Sequence, residues 1–292
     1  MQKNKSLILC LLVMLLWGSL FPAVKLGMAA FSIVTTGDIL FFAGVRFVIC
    51  GTVICLIALK SDKGSYKDAS KSVFPILAAG LFSIILHYYF TYSALTMTDS
   101  SKTAILKQVG ILFYVCFSAL FFKEDKLTRG KLIGVILGFL GIVVINTDIG
   151  GISFNIGDAF IISASFCSVF SSIISKKVSS KVNPLTVAGV SQLFGGIVLT
   201  VIGRLMGGTM AVSLTPSALI MVYICVASIV SYSIWFWILK NGELSRMFII
   251  KFAEPLFACL FGAILLGEFK WQYLISFIFI AGGIYISNKN KG

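Results

Sequence analysis

A chain of 292 residues that is 58% hydrophobic and only 12% charged has the composition of a membrane protein. Soluble domains run at roughly 45–50% apolar and about 25% charged. The net charge of +13 would suggest nucleic acid in a soluble protein, but here the bases sit in short loops between apolar runs, so nucleic-acid binding is set aside.

In chain order, hydropathy predicts ten transmembrane helices, at about residues 7–28, 36–59, 73–95, 103–122, 131–146, 156–175, 184–206, 216–239, 247–267 and 271–287. The first follows Lys3 and Lys5 as a secretory signal would. Its apolar run continues through Trp17 and Pro22 to about Lys25, however, and reads as a retained first span. The seven cysteines all fall inside apolar runs without a CxxC or a neighbouring His, so they read as small packing residues, and no metal or cofactor is expected.

Ten spans put both termini on one side of the membrane. Lys3, Lys5, the lysines from Lys60 to Lys71, those from Lys123 to Lys131, Lys176, Lys177, Lys181, Lys240, Arg246, Lys289 and Lys291 then share that side; Lys25, Lys102, Arg204 and Lys270 face the other. The positive-inside rule makes the first side cytoplasmic. The expected location is an inner (cell) membrane of a bacterium with both termini in the cytoplasm.

The stretch from Lys102 to Glu124 has a second copy from Arg246 to Glu268. Lys102 pairs with Arg246, Lys107 with Lys251 and Glu124 with Glu268, each at the same separation, close to half the chain. Ala43-Gly44-Val45 likewise matches Ala188-Gly189-Val190, and Tyr88 matches Tyr232. Five spans is an odd number, so a second copy must sit upside down relative to the first. The expectation is an all-α integral membrane protein of ten transmembrane helices in two inverted five-helix repeats, residues 1–150 and 151–292. Inverted repeats are the architecture of many secondary transporters.

Four motifs carry a family resemblance: WGSLFPAVK at Trp17 to Lys25, VRF at Val45 to Phe47, EDKLT at Glu124 to Thr128, and AEPLFACLFGAILLGE at Ala253 to Glu268. With them the chain resembles, over essentially its whole length, the EamA-type carriers of the drug/metabolite transporter superfamily. The resemblance implies ten helices in two inverted units and a central cavity lined mainly by the first four spans of each. It implies a carrier of small metabolites and leaves the substrate open. Plant triose-phosphate translocators, distant relatives, use basic residues on the equivalent helices to hold phosphate, which points to an anionic solute for Lys107 and Lys251.

Lys107 and Lys251 each place a charge inside an apolar run, at a cost of about 2.5–3.5 kcal/mol at a helix centre and less near an end. Two readings stand: a lysine that snorkels to the interface, or one that meets an anionic group of a substrate. The duplicated position favours the second. Glu254, three residues beyond Lys251, offers it a partner on the same helical face, and Pro255 removes an internal hydrogen bond, so a bend is expected there. Counting Arg46, Lys107 and Lys251 against Glu254 leaves positive charge without a partner inside the spans, which an anion or the carboxylate of an amino acid would supply.

His87, Tyr88 and Tyr92 in the third span match Ser231, Tyr232 and Phe236 in the eighth. They are either packing aromatics or walls of a binding cavity. The candidate substrate-binding residues are Lys107, Lys251, Tyr88, Tyr92, Tyr232, His87, Trp17 and Glu254. Gly134, Gly138 and Gly141 form a small-residue face that reads as close helix packing or as the contact of a homodimer.

The expected function is a secondary transporter, working by alternating access, for an anionic or amino-acid-like metabolite. Its alternatives are an exporter of neutral or cationic drug-like compounds and a channel-like pore. An enzyme is not expected, because His87 has neither a nucleophile motif nor cysteine partners beside it.

Overall fold

The computed structural model describes residues 2–62, 64–95, 97, 106–145, 155–211, 216–266 and 271–289. Among these, helix is the only regular secondary structure. In chain order the helices are α1 (Gln2–Ala30), α2 (Thr36–Ser61), α3 (Ser65–Lys71), α4 (Val73–Gly80), a π-helical turn (Leu81–Leu86), α5 (His87–Leu95), α6 (Val109–Phe121) and α7 (Arg129–Ile145). They continue as α8 (Ile156–Ser179), α9 (Pro184–Leu205), α10 (Pro216–Asn241), α11 (Leu244–Ile250), α12 (Ala253–Leu266) and α13 (Gln272–Lys289).

The helix starts follow local chemistry. Thr35 closes a capping box on α2: its Oγ1 accepts from the Asp38 N–H at 3.1 Å, while Asp38 accepts from the Thr35 N–H at 2.9 Å. Asn155 and Asp158 exchange the same pair of bonds at the start of α8, at 3.0 and 2.7 Å. Asn183 accepts from the Leu185 N–H at 2.9 Å, with Pro184 as the first residue of α9.

Among the described residues, seven helical stretches are long and apolar enough to cross a membrane: Lys5–Ala30, Thr36–Ser61, Val73–Ala94, Ile156–Ser179, Pro184–Leu205, Ala218–Asn241 and Leu244–Ile264. Helices also stand at the other three predicted spans, but α6, α7 and α13, with 13, 17 and 18 residues, fall outside that set. Lys102, Gly151, Glu268 and Lys270 lie outside the described residues.

The chain divides into two compact units. One comprises Met1–Ser19, Ala94–Val169 and Gly242–Gly292; the other comprises Leu20–Ser93 and Phe170–Asn241. Each draws on both halves of the sequence.

In the second unit α2 packs antiparallel on α9 through glycines. Going up α2, Gly37 meets Met206, Gly44 meets Thr200 and Gly51 meets Leu193. The contacts are reciprocal: Gly44 lies against Thr200, and its sequence counterpart Gly189 against Cys55; Gly51 approaches the Gly189 carbonyl, and Gly196 the Gly44 carbonyl. Backbones this close leave no room for a Cβ, so packing and weak backbone contacts hold the pair in an apolar medium. Leu40, Ala43, Phe47, Ile84, Tyr92 and Leu199 form the buried cluster beside it. Gly51→Val is therefore expected to drive a side chain into the Leu193 backbone and cost about 3 kcal/mol, the upper end of ordinary overpacking. Detergent-extracted protein on size exclusion is the check, and a wild-type monodisperse peak would contradict this packing.

In the first unit α7 lies on α13. Gly134 meets Ser287 and the Gly283 carbonyl, Gly138 lies under the Phe252 ring, and the Ser276 hydroxyl donates to the Gly141 carbonyl at 2.8 Å. The small-residue face is thus occupied by close packing within the chain.

Candidate functional site

The first unit holds Trp17, Lys107, Lys251 and Glu254. Both lysines sit in a turn beside the start of a helix. α11 ends at Ile250, Lys251 and Phe252 make a turn, and α12 begins at Ala253 with Pro255 in its first turn. The expected bend takes the form of this two-residue turn within the stretch Leu244–Ile264. In the first half Lys107 and Gln108 form the corresponding turn, immediately before α6. Lys107, expected about five residues inside its span, thus lies two residues before the first residue of α6.

The first turn is held from outside. Ser165 on α8 donates its hydroxyl to the Lys107 carbonyl at 2.9 Å and accepts from the Gly110 N–H at 2.7 Å. It satisfies one orphan group on each side of the turn. At the second turn the Lys251 N–H donates to the Met247 and Phe248 carbonyls, both at 3.1 Å, and the Glu254 N–H donates to the Lys251 carbonyl at 3.0 Å. Gly18 lets α1 press on the start of α12, where an added Cβ would stand 2.5 Å from the Phe257 Cβ.

The Lys251 ammonium lies 5.6 Å from the Trp17 ring centroid and 5.5 Å from that of Phe248, and it approaches the Ser168 hydroxyl at 3.4 Å. The groups acting on it through space are Glu254, Lys107 and the Cys10 thiol. The two repeat-related lysines are therefore near enough to act on each other, and Glu254 acts on Lys251. α6 and α12 both start within two residues of these lysines, so the positive ends of two helix dipoles add to the same charge.

The second unit holds His87, Tyr88, Tyr92 and Tyr232. The π-helical turn before α5 sets the rotation of the segment that begins at His87; such turns are frequent at functional sites. The Tyr88 ring lies 5.3 Å from His87, 5.5 Å from Tyr92 and 5.0 Å from Phe47, and Phe47 is also 6.1 Å from Tyr232. At the centre stands a residue that the sequence reading counted as a charge but left off its site: Arg46, whose Nη2 donates to the Tyr88 hydroxyl at 3.1 Å.

A third cluster was missed altogether. Asp125, in the loop after α6, and Lys131, in the first turn of α7, are 2% and 1% exposed. Lys131 Nζ donates to Asp125 Oδ1 at 2.8 Å and to the Lys126 carbonyl at 2.6 Å, and it also pairs with Glu243. Asp125 accepts from the Tyr114 hydroxyl at 3.0 Å, from the Ser245 N–H at 2.9 Å and from the Ser245 hydroxyl. Glu243 in turn pairs with Arg246 at 2.6 Å. The sequence reading took Lys131 and Arg246 as solvated loop bases; in the structure they tie the loop after α6 to the start of α11. The detectable signal was an acid and a base six residues apart astride a helix start.

The profile of the EamA-like transporter family matches the chain twice, over residues 4–147 and again over 155–289. The chain belongs to that family. Among its relatives, an uncharacterized transporter of Archaeoglobus fulgidus is 26% identical over 90% of this chain and 91% of its own. The uncharacterized transporter YvbV of Bacillus subtilis is 25% identical, covering 92% and 86%. The uncharacterized inner membrane transporter YedA of Escherichia coli K12 is 26% identical, covering 87% and 80%. A solved crystal structure of another protein, 18% identical, superposes with a TM-score of 0.81 over 97% of this chain and 96% of that one, which shows a common fold. This EamA-like protein is accordingly an all-helical, integral membrane transporter. In it, Lys107 and Lys251 are charged residues that both halves share, each in a turn beside the start of a helix.

Proposed function

We propose that this EamA-like transporter carries a small anionic or carboxylate-bearing, amino-acid-like metabolite by alternating access between two inverted five-span halves, residues 1–150 and 151–292. The observation that carries the proposal is that Lys107 and Lys251, each in a turn beside the start of a helix, act on each other, with Glu254 also acting on Lys251. Excess positive charge beside the starts of membrane helices calls for a negative partner that arrives and leaves with the solute. Inversion is supported by the reciprocal, antiparallel contacts of α2 and α9 and by the family profile matching each half. With ten crossings, the loop bases put both termini in the cytoplasm of a cell with one inner membrane.

The test is exchange in proteoliposomes with a panel of amino acids and of mono- and dicarboxylates as probes. Uptake should saturate and should accelerate when the same unlabelled compound is loaded on the opposite side. Uptake linear in concentration and indifferent to that loading would mean a pore. Transport confined to neutral and cationic compounds would remove the role given to the lysines.

A further inference from the structure

Arg46 is the one charge in the long apolar interior of α2, well away from Asp38 and Lys60 near its ends. Its side chain is 4% exposed, and a guanidinium does not give up its proton. Its surroundings are aromatic. The guanidinium carbon stands 4.4 Å from the Phe47 ring centroid and 5.7 Å from that of Tyr88, and Nη2 donates to the Tyr88 hydroxyl at 3.1 Å. Nε is buried with no acceptor. The groups that act on it include Tyr88, Tyr92, Tyr232, Cys50 and Cys225, none of them a carboxylate. Among the described residues no ion pair with a carboxylate reaches this cation.

The helix cannot turn to release it. Gly44 and Gly51 pin one face of α2 against the α9 backbone, while Cys50, one turn beyond Arg46, donates to the Cys225 carbonyl on α10 at 3.6 Å. Aromatic faces attract a cation but do not neutralise it, and hydrocarbon offers no water to do so. A buried guanidinium held this way is prepared for a partner that is absent from the resting chain.

We propose that the Arg46 nest is a second anion-binding position, and that it takes the carboxylate of a monoanionic solute with a flat, apolar body. The fork of a guanidinium matches a planar carboxylate in two parallel hydrogen bonds. Phe47, Tyr88, Tyr92 and Tyr232 supply ring surface for the rest of the molecule. With one cation, the nest has nothing to hold the second charge of a phosphate dianion. It goes beyond the lysine reading, because it stands on residues of the other compact unit and on none of the lysines.

The test uses detergent-purified full-length protein, with melting temperature followed against benzoate, its neutral analogue benzamide, and inorganic phosphate. Benzoate should stabilise the wild type, and the other two should not. The shift should vanish in Arg46→Gln, and in Arg46→Lys, which keeps the charge and loses the fork, half-saturation should need about tenfold more benzoate. Photolabelling with 4-azidobenzoate should mark peptides holding Tyr88 and Tyr92 or Tyr232. If Arg46→Gln does not fold, Arg46→Lys and the label decide the matter. An undiminished shift in Arg46→Gln or Arg46→Lys, or label confined to the peptides of Lys107 and Lys251, overturns the nest. A benzoate shift that disappears in Lys107→Ala but persists in Arg46→Gln overturns it while leaving the lysine reading in place.

Discussion

Lys107→Ala should reach the membrane at the wild-type level and lose most transport of an anionic solute. Its side chain stands at a helix start, and the local backbone is held by Ser165 through the Lys107 carbonyl, which alanine keeps. Folding therefore has little to lose. The solute loses a charge-assisted hydrogen bond worth about 1.5–3 kcal/mol, which lowers affinity about ten- to a hundredfold. Lys251→Ala should behave differently although it is the repeat partner. It removes the ammonium that faces Glu254, Trp17 and Ser168, and it leaves that carboxylate in a poorly hydrated setting. Breaking a buried pair costs about 3–5 kcal/mol, and because both groups are partly exposed the lower end is expected. The double change of Lys251→Ala with Glu254→Ala should restore expression without restoring transport. Wild-type rate and affinity for an anion in Lys107→Ala would sink the substrate role and leave a lysine that snorkels to the interface.

What could be read from the sequence was what is written locally or written twice. Hydropathy located a helix at every predicted span, since apolar runs bounded by charge are a local signal. Pro255 announced the turn beside Lys251, because a missing N–H acts on its own helix. The matching turn at Lys107 has no proline, only Gly110 in the helix turn that follows. It depends on Ser165, 58 residues away in sequence, and only the repeat hinted at it. Gly134, Gly138 and Gly141 were legible as a close-packing face but not as to what they pack against. Arg46 was visible as a charge in an apolar run beside Phe47, while the Tyr88, Tyr92 and Tyr232 rings come from α5 and α10, which no periodicity on α2 reveals. Its omission from the sequence-derived site came from weighting duplicated residues, since Arg46 has no charged counterpart in the second half.

The cluster at Asp125 was illegible for the same reason, and it yields the other large effect. Positive-inside counting treats Lys131 and Arg246 as solvated, yet Lys131 is 1% exposed and is held by Asp125 from the loop just before α7 and by Glu243 from a distant one. Asp125→Ala should therefore cost about 3–5 kcal/mol, because Lys131 keeps its charge while losing the better buried of its two carboxylates, and the Tyr114 and Ser245 hydroxyls lose an acceptor. Replacing both ions, Asp125→Leu with Lys131→Met, should recover much of that loss, since apolar groups of similar volume need no partner. The cluster also sets a pH dependence. Burial alone would raise the Asp125 carboxyl, but hydrogen bonds from Lys131 and Ser245 and the nearby ammonium outweigh it and hold it below the usual carboxylate range. A carboxyl lowered on folding adds stability that is present in full above its unfolded value of about 3.9 and is lost as pH falls toward its folded value. The stability gap between wild type and Asp125→Asn should thus be widest near neutral pH and close below about pH 4. Melting curves of both proteins across that range are the measurement. A gap that stays constant down to pH 3 would mean that Asp125 acts by packing and hydrogen bonding, and that its charge contributes nothing to holding the loop after α6 on the start of α11.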